Sequence, residues 1–125
     1  MKTFDIIVIG GGPAGCAMAL DLNCRGYDVA LCDQAKFPRD KVCGEFISPG
    51  ADPILDKLGV LASIEALAPK RLKGVAISSY ESAELEIDYP ASTETGSRPS
   101  SLSVPRYQLD ALFLKQVQST GGKVF

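Results

Sequence analysis

Residues 6–15 read IIVIGGGPAG: four β-branched aliphatics, three consecutive glycines, a proline, an alanine and a fourth glycine. Branched aliphatics stand well on a covered, pleated surface, whereas consecutive glycines clear every side chain from a tight turn and allow φ > 0. The chain therefore leaves a buried strand through a turn that carries no Cβ atoms. Pro13 then suits a first helical turn, where its missing N–H has no intrahelical partner to lose. The surrounding periodicity completes a unit. Residues 4–9 predict a strand, Pro13 to Arg25 a helix stopped by Gly26, and Asp28 to Cys32 a second strand, parallel to the first across a right-handed crossover.

Within this βαβ unit, Gly10, Gly12 and Gly15 form G-x-G-x-x-G, and Asp33 stands at the end of the second strand, 23 residues beyond Gly10. A lone G-x-G-x-x-G is weak, but strand, helix, second strand and terminal acid together are the fingerprint of dinucleotide binding. Gly10 allows the turn, Gly12 lets the backbone approach a diphosphate, and Gly15 lets helix and strand pack closely. Pro13 and Ala14 open a helix whose free N–H groups and partial positive charge favour phosphates. No charged residue occurs between Asp5 and Asp21 to oppose them. Asp33 is placed to accept ribose hydroxyls, with Gln34 beside it, and its charge disfavours the 2′-phosphate of NADP. FAD and NAD both remain compatible with these residues.

Beyond residue 33 the pattern predicts a polar connection through Pro38 and Lys41, a helix from Ala51 to Leu58 closed by Gly59, and a short helix from Leu61 to Ala68 before Pro69. Between Lys73 and Tyr89 the period changes to two, which predicts an antiparallel hairpin with one wet face. ASTETGSRPSS at 91–101 reads as a loop, and 107–119 as a helix with Leu109, Leu112, Phe113 and Val117 on one side. A strand begins at Lys123. The expectation is an α/β chain: a Rossmann-type βαβ unit with an antiparallel hairpin insertion, forming an incomplete domain. With so few elements, the apolar sides of the first helix and of the 107–119 helix are expected to lack partners and to leave an exposed patch.

A net charge of -2 and no run of like charges exclude broad electrostatic binding of nucleic acid. The apolar window Ile6 to Leu20 is shorter than the ~20 residues that span a bilayer and lacks the basic flank of a signal peptide, so a cytoplasmic protein is expected. Cys16, Cys24, Cys32 and Cys43 form no CxxC pair, and the chain has no histidine, so no metal site is expected. The first three cysteines read as small buried thiols. Oligomeric state is left open.

The stretch DIIVIGGGPAGCAMALDLNCRGYDVALCDQ resembles the N-terminus of FAD-dependent oxidoreductases of the aromatic-hydroxylase, geranylgeranyl-reductase and flavin-halogenase superfamily. FPRDKVCGEFISPGADPILDKLG is similar to the following segment of its reductase-like and halogenase-like branches, and VPRYQLDALFLKQVQSTGGKVF resembles its R-x-x-L-D helix. The resemblance implies an extended FAD with its adenosine end on the fingerprint, contacts from Arg39, Lys41 and Arg106, and Gly44 and Glu45 near the flavin. It also implies an oxidoreductase that takes NAD(P)H as reductant and acts on a small or lipophilic organic substrate, by oxygen chemistry or by alkene reduction. It further implies that 1–125 is the N-terminal part of a longer FAD-binding domain and inactive alone. The rival readings are an NAD-dependent dehydrogenase and a non-catalytic nucleotide-binding module. Read from the residues themselves, Arg39 and Lys41 also fit solvated loop charges, Glu45 an exposed carboxylate and Cys43 a thiol without a redox role. Arg106 opens a helix, the unfavourable end for a cation, which points to an acidic partner such as Asp110 or to a ligand. Catalytic residues are not assigned.

Overall fold

The hydrocarbon runs at 6–9 and 29–32 form the strands their pattern predicts, in a computed structural model that describes residues 2–90 and 100–125. The elements run β1 (Ile6–Ile9), α1 (Pro13–Cys24), β2 (Val29–Cys32), β3 (Phe46–Ile47), a 3-10 turn (Pro49–Ala51), α2 (Asp52–Lys57), α3 (Leu61–Glu65), β4 (Lys70–Leu72), β5 (Gly74–Ser78), β6 (Glu84–Asp88), β7 (Ser101–Ser103), α4 (Arg106–Ser119) and β8 (Lys123–Val124). β1 and β2 are parallel, with Ile6 opposite Val29 and Ile9 opposite Cys32, and β8 adds to the far side of β2. The order β1-β2-β8 is the Rossmann-type βαβ unit with one more parallel strand. α1 ends as the sequence predicts, at Gly26 with φ 88°.

One core joins these layers. Cys16, Ala19 and Leu20 of α1 meet Val29 and Leu31 of β2 and the side of α4 that carries Leu109, Phe113 and Val117. Leu55, Val60 and Ile64, in and between α2 and α3, extend it. The apolar sides of α1 and α4 are thus buried against each other, contrary to the expectation that they lack partners. Uncovered hydrocarbon lies elsewhere: Ile7 and Ile9 are 62% and 83% exposed on the sheet face away from α1.

β5 and β6 form the expected hairpin, with Val75 opposite Ile87 and Ile77 opposite Leu85. The expectation of one dry face is corrected, because these four side chains are 42–57% exposed. Alternation alone records which side is apolar, not what covers it. The helix at 61–68 is also shorter than predicted, ending at Glu65, and Ala68 takes φ 51°. Of the three cysteines read as buried, only Cys16 is; Cys24 is exposed because it lies on the outer side of α1, and Cys32 is half-buried. The loop read at 91–101 lies outside the described residues at 91–99, and Ser101 already belongs to β7.

A second sheet, antiparallel and ordered β3-β7-β4, escaped the sequence reading because its strands are two or three residues long, too short to show a period. Leu102 sits at its centre, opposite Ile47 on one side and Arg71 on the other. This sheet carries the chain from the C-G-E segment to the start of α4. Arg71 ties it to the helices: its Nη2 lies 2.9 Å from Oδ2 of Asp52 at the start of α2 and also pairs with Glu65 of α3, while Nη1 donates to Ser100 Oγ at 3.2 Å.

Asp52 is only 5% exposed, so Arg71→Ala strands a buried carboxylate. Urea unfolding of Arg71→Ala is expected to show a loss of about 2–3 kcal/mol, below the full cost of breaking a buried pair because Arg71 is partly wet. The double variant Arg71→Ala/Asp52→Asn should recover part of that loss.

Candidate functional site

The strand β1 delivers its chain into Gly10, which holds φ 106°, a conformation L side chains rarely adopt. The next two turns bring α1 back against the strand. A Cβ on Gly15 would lie 1.8 Å from the Gly10 carbonyl oxygen, so only hydrogen fits between helix and turn. Cys16, one residue on, donates its thiol to the Gly11 carbonyl at 3.4 Å, and burial pushes its pKa up to about 12, which keeps that donor protonated.

Asp33, at the end of β2, braces the same turn from the other side. Its Oδ2 accepts from Gly11 N–H at 2.7 Å and its Oδ1 from Ala35 N–H at 2.8 Å. These bonds, that from Ala35 first and that from Gly11 second, hold its carboxyl below the usual range. Each oxygen keeps a further lone pair. The expected ribose acceptor is therefore also a structural tie between the two strand ends, a second role that sequence spacing does not reveal.

Two arginines converge on Gly12. A Cβ built there would stand 3.6 Å from Arg106 Nη2 and 3.9 Å from Arg39 Nη2, with no backbone contact. Arg106 opens α4, and its Nε and Nη2 donate to Asp110 Oδ1 and Oδ2 at 2.8 and 2.9 Å, the i,i+4 pair expected from the sequence. Arg39 is not a solvated loop charge. Its side chain is 18% exposed, its guanidinium carbon lies 4.7 Å from the Phe37 ring centre, and its Nη1 is 3.2 Å from Asp110 Oδ2 while Nη2 is 3.8 Å from Asp33 Oδ2. The buried Nη1 makes this ion pair with Asp110 without the alignment of a hydrogen bond. Neither the convergence of both arginines on Asp110 nor the Phe37 shelf was read from the sequence; a carboxylate four residues after Arg106 was the one available signal.

Gly10, Gly12, Asp33, Gln34, Arg39 and Lys41 line one open cavity of about 540 Å³. Pro13, Ala14 and Gly15 form the helix N-terminus beside it, with no acid in the first turn. Lys41 is exposed at the rim, as the solvated reading allowed. Gly44 and Glu45 do not line the cavity. They lie on an exposed bend where Glu45 takes φ 54°, its N–H donates to Cys43 Sγ at 3.4 Å, and its carbonyl accepts from Val104 N–H at 3.1 Å. The Glu45 N–H, and after it a hydrogen bond from Arg106, draw the Cys43 thiol down. Cys43 and Arg106 thus connect this bend to the arginine pair. A glycine floor flanked by two guanidinium groups suits a dinucleotide diphosphate.

The family described as FAD dependent oxidoreductase matches residues 5–96. A menaquinone reductase of Mycolicibacterium smegmatis is 34% identical over 120 residues, covering 96% of this chain and 28% of the relative. A tryptophan 2-halogenase of Chondromyces crocatus is 33% identical over 126 residues, covering 96% and 22% respectively. The crystal structure of the flavin-dependent halogenase CmlS superposes on the whole chain with a TM-score of 0.86 at 29% identity, covering 22% of that protein. The chain thus spans less than a third of the length of these proteins.

The two glycines separate folding from binding. Gly15→Ala forces a methyl into a backbone carbonyl and is expected to cost more than about 3 kcal/mol, read as loss of the cooperative melt by circular dichroism. Gly12→Ala meets only ordinary contacts and should melt within about 1 kcal/mol of wild type, since φ is -79° there, while losing FAD binding at least tenfold by titration calorimetry.

Proposed function

The chain belongs to the FAD-dependent oxidoreductases, and on that premise we propose that residues 1–125 are the N-terminal part of an FAD-binding domain, holding the adenosine diphosphate half of the cofactor. The observation that carries the proposal is the convergence of Arg39 and Arg106 on Gly12, beside the cavity that Gly12 and Arg39 line. The glycine turn leaves room for a diphosphate against the backbone, and the first turn of α1 offers it N–H groups. Arg39 and Arg106 offset its charge, each with its Nη2 beside Gly12. Asp33 keeps lone pairs for ribose hydroxyls and Gln34 stands beside it; Lys41 adds a mobile charge at the rim. Gly44 and Glu45, on the bend joined to Arg106 through Cys43, face the flavin half.

When bound, FAD supplies the redox chemistry, as hydride transfer or, once reduced, as reaction with oxygen. The residues of this chain bind, orient and neutralise, and no catalytic residue is assigned among them. NAD(P)H is the proposed reductant. Relatives named for menaquinone and for tryptophan support an organic, largely apolar substrate, handled by a reductase of the geranylgeranyl-reductase type or by a monooxygenase or halogenase. Four free cysteines fit the reducing cytoplasm. Among the described residues no helix is long and apolar enough to cross a membrane.

The intact protein is expected to carry a visible flavin absorption band through purification and, once stripped, to rebind FAD but not NAD in calorimetry. Tight NAD binding without FAD binding contradicts the proposal. Arg39→Ala and Arg106→Ala should each weaken FAD binding by roughly tenfold or more, the loss of one charge-assisted contact, with folding retained.

A further inference from the structure

Asp110 has no solvent exposure and lies on α4, a full turn into the helix, where it is one of the few polar groups among buried residues. A carboxylate so placed carries a desolvation cost that only well-made partners offset. Its partners are two guanidinium groups brought from separate segments. Arg106 comes from the first position of α4 and binds in a fork, through Nε to Oδ1 and Nη2 to Oδ2. Arg39 comes from the connection after β2 and sets Nη1 3.2 Å from the same Oδ2. Arg39 holds its Nη2 beside Gly12, and the Arg106 Nη2 that donates to Asp110 lies beside Gly12 as well. Without the carboxylate, two like charges would face each other across the turn.

We propose that Asp110 is the positioning residue of the phosphate subsite: it holds Arg39 and Arg106 together over Gly12, so that two cations meet a diphosphate in place rather than being recruited to it. This rests on the FAD reading, though the subsite it describes is specific to a diphosphate and not to the flavin. Asp110 touches no phosphate itself. It acts by cancelling the repulsion between the arginines and by fixing rotamers that are otherwise free in long side chains, which lowers the ordering cost of binding. Asp33 approaches Arg39 at 3.8 Å while bracing the Gly11 and Ala35 N–H groups, so Asp110 is the carboxylate that both arginines share.

The test compares ADP with adenosine in the intact, flavin-stripped protein, since the two ligands differ only in the diphosphate. Asp110→Asn keeps the shape and removes the charge. It is expected to weaken ADP and FAD roughly 10- to 100-fold, the range for one or both arginines losing their charge-assisted contact with the diphosphate, while adenosine affinity changes less than about twofold. Arg106→Lys, which keeps the charge but not the fork, should lower ADP affinity in the same direction and serves if Asp110→Asn does not fold. In the Arg39→Gln/Arg106→Gln background, adding Asp110→Asn should cost nothing more for ADP. Equal losses for ADP and adenosine, or a folded Asp110→Asn protein that binds ADP as wild type does, overturn the proposal. A protein that binds NAD in place of FAD overturns the functional reading instead, and the ADP-to-adenosine ratio still decides the role of Asp110.

Discussion

The whole arrangement hangs on one close approach, the backbone of Gly15 against the Gly10 carbonyl, where a Cβ would come within 1.8 Å. Because helix and turn meet with nothing between them, α1 lies flat on β1 and β2, and its inner residues Cys16, Ala19 and Leu20 reach the core together. The same approach points the start of α1 across the end of the sheet. A helix N-terminus held there, with no acid in its first turn, is an electrostatic feature made by packing rather than by charged side chains. Fold and site are therefore one construction at this point.

Side chains brace the turn without entering the space above it. Asp33 receives the Gly11 N–H and the Cys16 thiol is given to the Gly11 carbonyl, so both polar groups of that one residue are tied down. On the opposite side the arginines arrive by different routes, one from the connection after β2 and one through the small antiparallel sheet, whose centre strand β7 runs directly toward α4. That second sheet is short, yet it sets where Arg106 starts and where the bend at Cys43 to Glu45 lies.

The sequence made the first third of this chain legible because its signals are local. Hydrocarbon runs, glycines and a strand-end acid each act within a few residues, and β1, α1 and β2 appear within two residues of their expected ends. The hairpin and α4 were legible for the same reason, through periods of two and 3.6. What was not legible depends on partners distant in the chain. Ser101–Ser103 becomes a strand because Phe46–Ile47 and Lys70–Leu72 flank it, and no window of local sequence contains all three. Likewise, Arg106 and Asp110 could be paired by helical spacing, whereas the approach of Arg39 to Asp110 spans most of the chain. Burial of α4 was misjudged on the same ground, since α1 covers it from far upstream. The dry face expected of the hairpin failed in the opposite sense: its alternation was real, and its cover was not a property of the hairpin.

The buried Asp110 with its two guanidinium partners has a consequence for how this protein can change over generations. A neutral substitution at position 110 leaves two guanidinium groups facing each other in a poorly solvated place, whereas losing one arginine leaves a one-to-one pair, so the carboxylate is the position least free to change alone. Routes that remove the carboxylate are concerted, with at least one arginine altering alongside it. Relatives that lack the carboxylate at this spot should therefore also lack at least one of the two arginines, which couples residues 39 and 110 although they are far apart in the chain.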